Sequence, residues 1–145
     1  MTSLTSANAV LLLTIDGVYS SPQQLQRFAT DDIFDVDAVQ SAETAMGVDG
    51  YLSAGFVWNE KVQRITLQAD SPSNTIFETW NSAMESSQEV FACSGSITLK
   101  SVNRKFTMIR GILTSYAPIP SGKKILQPRT YAITWQKISP APMGA

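Results

Sequence analysis

Apolar and polar residues alternate along most of this chain, and a period of two marks extended strands whose two faces meet different surroundings. Leu11, Leu13, Ile15 and Tyr19 fall on one face of a first strand, and Leu52, Ala54, Phe56 and Trp58 on one face of a later one. Both faces are read as core-bound. Ile65, Leu67 and Ala69 alternate with Arg64, Thr66 and Gln68, and Phe91, Cys93, Ile97 and Leu99 with Ala92, Ser94, Ser96 and Thr98. Toward the C-terminus, Tyr131, Ile133 and Trp135 oppose Thr130, Ala132, Thr134 and Gln136. The pattern predicts a mainly β chain, an antiparallel β-barrel or sandwich. With 145 residues it is read as a single domain spanning residues 1–145 with short flexible termini, long enough to bury a core without metal or disulfide.

One segment changes period. Asp70, Ser71, Pro72 and Ser73 supply capping residues and a proline near a first helical position. Ile76, Phe77, Trp80 and Met84 then follow at helical spacing. A single flanking α-helix is expected over residues 72–86, lying across the sheet and covering one end of the core. Turns are expected at Asp16-Gly17, Asp49-Gly50, Asn103 and Pro120-Ser121-Gly122. Residues 139–145 hold few packing anchors and are expected to form a loose end, or an arm ordered by a neighbour.

Charge is divided along the chain. Residues 1–89 hold twelve acidic and three basic residues, a balance of −9, whereas residues 90–145 hold eight basic and no acidic ones, +8. Copies placed acidic surface to basic surface attract each other and reject the inverted arrangement, which suits self-assembly with a direction. Mixing of these charges over one folded surface is the plainer reading. Residues 28–50 hold six carboxylates and no basic residue, yet also Ile33, Phe34, Val36, Val39 and Met46. Such a ribbon folds, and its charged face repels nucleic acid.

The chain contains no histidine, which removes the usual general base, the commonest zinc ligand and the histidine-dependent nucleophile arrangements. The cluster Asp31, Asp32, Asp35 and Asp37 fails the calcium-loop pattern, with Val36 at the tight-turn glycine and Ala42 at the bidentate glutamate. Gly122 and Lys123 fail the phosphate-loop pattern, with Ala117 at the first glycine and Lys124 where serine or threonine belongs. No catalytic residue, cofactor site or metal site is expected, and the chain is read as no enzyme. Cys93, the single cysteine, has no internal disulfide partner and is read as a small buried residue, which suits a reducing compartment and equally a disulfide-free extracellular particle. The longest apolar run, residues 9–15, is too short to span a membrane, and no Lys or Arg precedes it as in a signal peptide. A soluble intracellular product is expected.

Four segments, GVYSSPQQLQRFATDDIFDVDAV, MGVDGYLSAGFV, ITLQADSPSNTIFETW and GILTSYAPIPSGKKILQPRTYAITWQ, together resemble bacteriophage tail tube proteins over residues 10–137. The resemblance rests on order and spacing, since that class has no catalytic motif. It implies a tail-tube-like β-barrel or sandwich domain with one flanking helix, a virion structural subunit that stacks as hexameric rings around a channel for DNA. It further implies partners among copies of itself and sheath, baseplate and tape-measure proteins, DNA that passes without specific binding, and a place in the virion tail after synthesis in the host cytoplasm. Baseplate and tail-terminator proteins share the fold and remain alternatives.

A channel through which DNA slides wants an acidic or neutral lining, for which Asp31, Asp32, Asp35, Asp37, Glu43 and Asp49 are the candidates. Arg104, Lys105, Lys123, Lys124 and Arg129 are the candidate subunit contacts. A reading of another class is a single-stranded nucleic-acid binder of OB type. It would use Arg104, Lys105, Phe106, Tyr116, Lys123, Lys124, Arg129 and Tyr131 as a basic, aromatic groove, against the opposition of the acidic half.

Overall fold

The structure, a computed structural model, describes residues 9–28, 34–99 and 102–142. Among them, nine strands and one helix run in the order β1 (Ala9–Ile15), β2 (Tyr19–Gln24), β3 (Phe34–Val36), β4 (Ala42–Met46), β5 (Leu52–Phe56), β6 (Lys61–Leu67), α1 (Asn74–Ser87), β7 (Cys93–Leu99), β8 (Arg104–Ser115) and β9 (Arg129–Pro142). Seven strands form one antiparallel sheet in the order β2-β1-β7-β8-β9-β6-β3, and β4 pairs with β5 alone. The sheet curls toward closure. Beyond β2, the Gln68 N–H donates to the Arg27 carbonyl at 2.9 Å and Phe28 bridges Leu67 at the end of β6. A short seam thus joins the two flanks, while the sheet stays sandwich-like and does not close into a full barrel.

The alternation is realised on the inner face of this curl. Leu11, Leu13 and Ile15 of β1, Ile65 and Leu67 of β6, Cys93 and Ile97 of β7, and Tyr131, Ile133 and Trp135 of β9 are all buried. Tyr19 does not continue the first strand. Asp16, Gly17 and Val18 turn the chain, with Gly17 at φ +81°, so Tyr19 opens β2 opposite Ile15 and packs at the core margin. Ala69 likewise falls past the end of β6, in the turn that leads to the helix.

The helix seals one end of the curl, as its period predicts, with Ile76, Phe77 and Trp80 buried. Phe77 stacks on Tyr131 at a 4.1 Å centroid separation and 6° between planes. The Trp80 indole N–H donates to the Phe91 carbonyl at 2.9 Å, and the Tyr131 hydroxyl to Asn74 Oδ1 at 2.9 Å. The predicted capping residues do a different job. Ser73 makes no side-chain cap, its Oγ instead accepts the Gln26 N–H at 2.8 Å, and the Ser71 hydroxyl donates to the Gln26 carbonyl. Two hydroxyls placed to start a helix therefore hold it to the chain that follows β2.

Two expectations are corrected. The face carrying Leu52, Ala54, Phe56 and Trp58 is not core-bound: every residue of β4 and β5 is exposed, because the hairpin leaves the main sheet and no described residue covers it. The C-terminal segment is not loose through its described part. Ser139, Pro140, Ala141 and Pro142 complete β9 by pairing with Thr107, Phe106, Lys105 and Arg104, and a fourteen-residue strand anchored by Tyr131 and Trp135 carries its weaker end. Residues 143–145 lie outside the described residues. The long strand β8 interrupts its own alternation: Arg110 adopts φ +50° and register shifts beside it, so Met108 and Leu113 both face inward although five positions apart.

Because Trp80 is fully buried among Phe77 and the sheet, Trp80→Ala is expected to destabilise the fold by about 3–5 kcal/mol. Chemical denaturation checks this; a midpoint matching that of the parent at equal slope would show that the indole is not a core anchor.

Candidate assembly surfaces

The β4–β5 hairpin is the most unusual surface of the molecule. Its turn is held by the Gly47 N–H to the Tyr51 carbonyl, the Gly50 N–H to the Gly47 carbonyl and Asp49 Oδ1 accepting from the Tyr51 N–H, with Gly50 at φ +86°. Met46, Val48, Tyr51, Leu52, Phe56 and Trp58 all stand exposed along it, Phe56 at 71% and Trp58 at 84%. Phe56 and Trp58 contact edge to face at 4.9 Å. A two-stranded hairpin is marginal alone in water, and so much apolar surface on one marks a contact with something else. Glu43, Thr44, Ala54, Gly55 and Phe56 help line an open concavity of about 350 Å³.

The second surface is the segment between β8 and β9, residues 116–128. Arg129 pins its base. The guanidinium donates to the Ala117 carbonyl at 2.7 and 3.1 Å, to the Pro118 carbonyl at 3.3 Å and to Glu78 Oε1 at 2.8 Å, and it lies 5.5 and 5.9 Å from the Tyr131 and Tyr116 ring centroids. Burial works against the charged form of Arg129, but the hydrogen bond to Glu78 and the surrounding groups outweigh it and raise its pKa further. At the tip, Gly122 bridges Leu126 and the Gln127 N–H donates to the Ser121 carbonyl, which presents Lys123, Lys124 and Ile125 outward. Lys123 and Lys124 are exposed, as is Ile125 at 77%.

The candidate residues thus fall in several places. Arg129, expected at a subunit contact, is only 5% exposed and its charge is used within the chain. Arg104 and Lys105 are exposed at the start of β8, the far end of that twelve-residue strand from Lys123 and Lys124. That spread, with Tyr131 fully buried, breaks up the basic aromatic groove that an OB-type binder would need. Among the acidic candidates, Asp31 and Asp32 lie outside the described residues. Asp37 accepts two hydrogen bonds from the Arg64 guanidinium, at 2.6 and 3.2 Å, which lower its pKa. Asp35 pairs in register with Arg64 on β3, whereas Glu43 and Asp49 belong to the hairpin. No group of three potential metal-ligating side chains converges among the described residues.

The two apolar surfaces sit at opposite ends of the strand array. The hairpin runs directly into Lys61, the first residue of β6, while Leu67, its last, pairs with Arg129, the residue after the 116–128 segment. At roughly 3.3 Å per residue, β6 separates them by about 20 Å.

Residues 2–139 match the protein family described as "Tail fiber protein gp32". The chain belongs to that family. As a gp32-family member it is a phage tail-type structural protein, the class that its sequence segments resemble. A comparison with curated proteins finds no match. The gp32-family chain shares its fold with solved tail-like assemblies. One is a chain of the anti-feeding prophage baseplate, with TM-score 0.60, 12% identity and 100% of this chain and 99% of that chain covered. Another is from the PVC sheath/tube terminator of an extracellular contractile injection system, with TM-score 0.63, 9% identity and coverage of 90% and 92%. A third is from the tube-terminating cap of the anti-feeding prophage, with TM-score 0.58, 9% identity and coverage of 98% and 93%.

Arg129→Ala should free the 116–128 segment, seen as protease cleavage there at concentrations that leave the parent whole; an unchanged digestion pattern would show that the arginine does not hold it. Burial raises the Cys93 thiol to about 12, so the native protein should resist maleimide at neutral pH and react only once unfolded. Rapid labelling of the folded chain would contradict that.

Proposed function

We propose that this chain is a tube-type subunit of a phage tail, which joins copies of itself into rings that stack around a channel for DNA. The β4–β5 hairpin carries the reading: an arm with exposed Leu52, Phe56 and Trp58 suits a chain whose surface is completed by neighbours. Six-fold rings fit the six-fold symmetrised baseplate that contains a chain of the same fold. Stacking one ring on the next head to tail is a heterologous contact, which propagates. The chain acts by assembling, without catalysis, and its place is the virion tail. In such a ring we assign the acidic stretch around Asp35 to the channel, where carboxylates keep phosphates from binding.

A second reading is a ring at one end of the tube, a terminator or a baseplate component. The likeness to terminator, cap and baseplate chains favours it. Electron microscopy of the concentrated protein separates the two. A tube subunit forms filaments of open-ended length, and an end component forms single rings or adds to preformed tubes only. Replacing residues 42–56 with a short Gly/Ser linker should preserve the far-ultraviolet circular dichroism of the sheet yet abolish both kinds of particle. Monodisperse monomers from the parent chain at every concentration, or undiminished particles from the shortened one, would defeat this proposal.

A further inference from the structure

The hairpin and the 116–128 segment are complementary, and one chain cannot join its own pair. Glu43 and Asp49 give the hairpin a negative charge, and no basic residue lies between Phe34 and Glu60. The 116–128 segment carries Lys123 and Lys124 and no acidic residue. Each also carries apolar side chains exposed among the described residues: Phe56 and Trp58 on one, Ile119, Ile125 and Leu126 on the other. Shape agrees with charge. Glu43 is paired in register with Gly55, where an added Cβ would meet no atom within 4 Å, so the carboxylate stands beside an open notch on the hairpin face opposite the one that carries Phe56. Opposite it in character is a narrow turn, closed by the bridge from Gly122 to Leu126 and braced at its base by Arg129.

We infer that the Lys123-Lys124-Ile125 turn of one copy seats on the Glu43–Gly55 face of the β4–β5 hairpin of the next, its lysines facing Glu43 and Ile125 entering the notch at Gly55. This deepens the self-assembly reading and rests on it, with a second copy of this chain as the occupant. The contact uses different surfaces on the two copies, which lie at opposite ends of β6, so it is heterologous and runs head to tail. It also sets polarity. Reversing one copy would bring hairpin to hairpin or lysine turn to lysine turn, both opposed by like charge.

Cross-linking between copies tests the contact directly. Gly55→Cys and Ile125→Cys place single thiols at exposed positions on the two surfaces, and the native Cys93 is buried. A short bismaleimide should yield a covalent dimer when the two variants are mixed and far less when either is alone. Adding Lys123→Glu and Lys124→Glu to the Ile125→Cys chain should cut that yield on the order of tenfold, and adding Glu43→Lys to the Gly55→Cys chain should restore it. Rings or tubes in the microscope without mixed cross-links would overturn this contact and leave the assembly reading intact. Equal cross-linking within each single variant would overturn the head-to-tail direction, and a parent chain that is monomeric with no cross-link would overturn both.

Discussion

Tyr131 is where the parts of this molecule are joined. Its ring lies flat on Phe77 of the helix, its hydroxyl reaches Asn74 in the first helical turn, and its backbone pairs with Ile65 in the sheet. Two residues earlier in sequence on the same strand, Arg129 uses the Tyr131 ring as one wall of its own site and from there fixes the 116–128 segment. Aromatic stacking in a dry core is directional, so this contact fixes where the helix sits as well as adding buried area. Helix, sheet and basic turn thus share one reference point. The Tyr131 hydroxyl and the indoles of Trp80 and Trp135 each donate to a partner, the last to Gln63 Oε1 at 2.9 Å, while the buried Gln63 Nε2 has no partner among the described residues.

Much of this frame was legible in the chain because strands with one buried face must alternate. Tyr131, Ile133 and Trp135 alternate with the smaller or polar Thr130, Ala132, Thr134 and Gln136, and all three are buried. The helix was legible from the spacing of Ile76, Phe77 and Trp80, and its bounds moved by only two residues at the start and one at the end. Strand β8 escaped the same logic. A bulge at Arg110 sets Met108 and Leu113 on one face at an odd separation, and a period of two cannot find them. Gly111 follows from the same crowding, since a Cβ there would stand 2.5 Å from the Trp135 ring.

The hairpin misled for a different reason. Leu52, Ala54, Phe56 and Trp58 alternate as faithfully as any core strand, and alternation reports that a face is covered without saying by which chain. An interface between copies and an intramolecular core write the same pattern. Charge marked Lys123, Lys124 and Arg129 alike as candidate contacts, and the two lysines stand exposed whereas Arg129 is paired inside the chain. Sequence position cannot distinguish a cation offered to a neighbour from one that braces a loop.

The composition of the hairpin also bears on the life of the chain before it meets a partner. Newly made subunits expose a flat ribbon of Leu52, Phe56 and Trp58, the sort of strand pair that sticks to its own kind. The carboxylates of Glu43 and Asp49 lie on that ribbon, and two ribbons approaching each other meet like charge first. They act as gatekeepers for the free subunit, disfavouring indiscriminate clumping while its sticky surface waits. Screening by salt would weaken that repulsion and bring the apolar side chains of free copies within reach of one another.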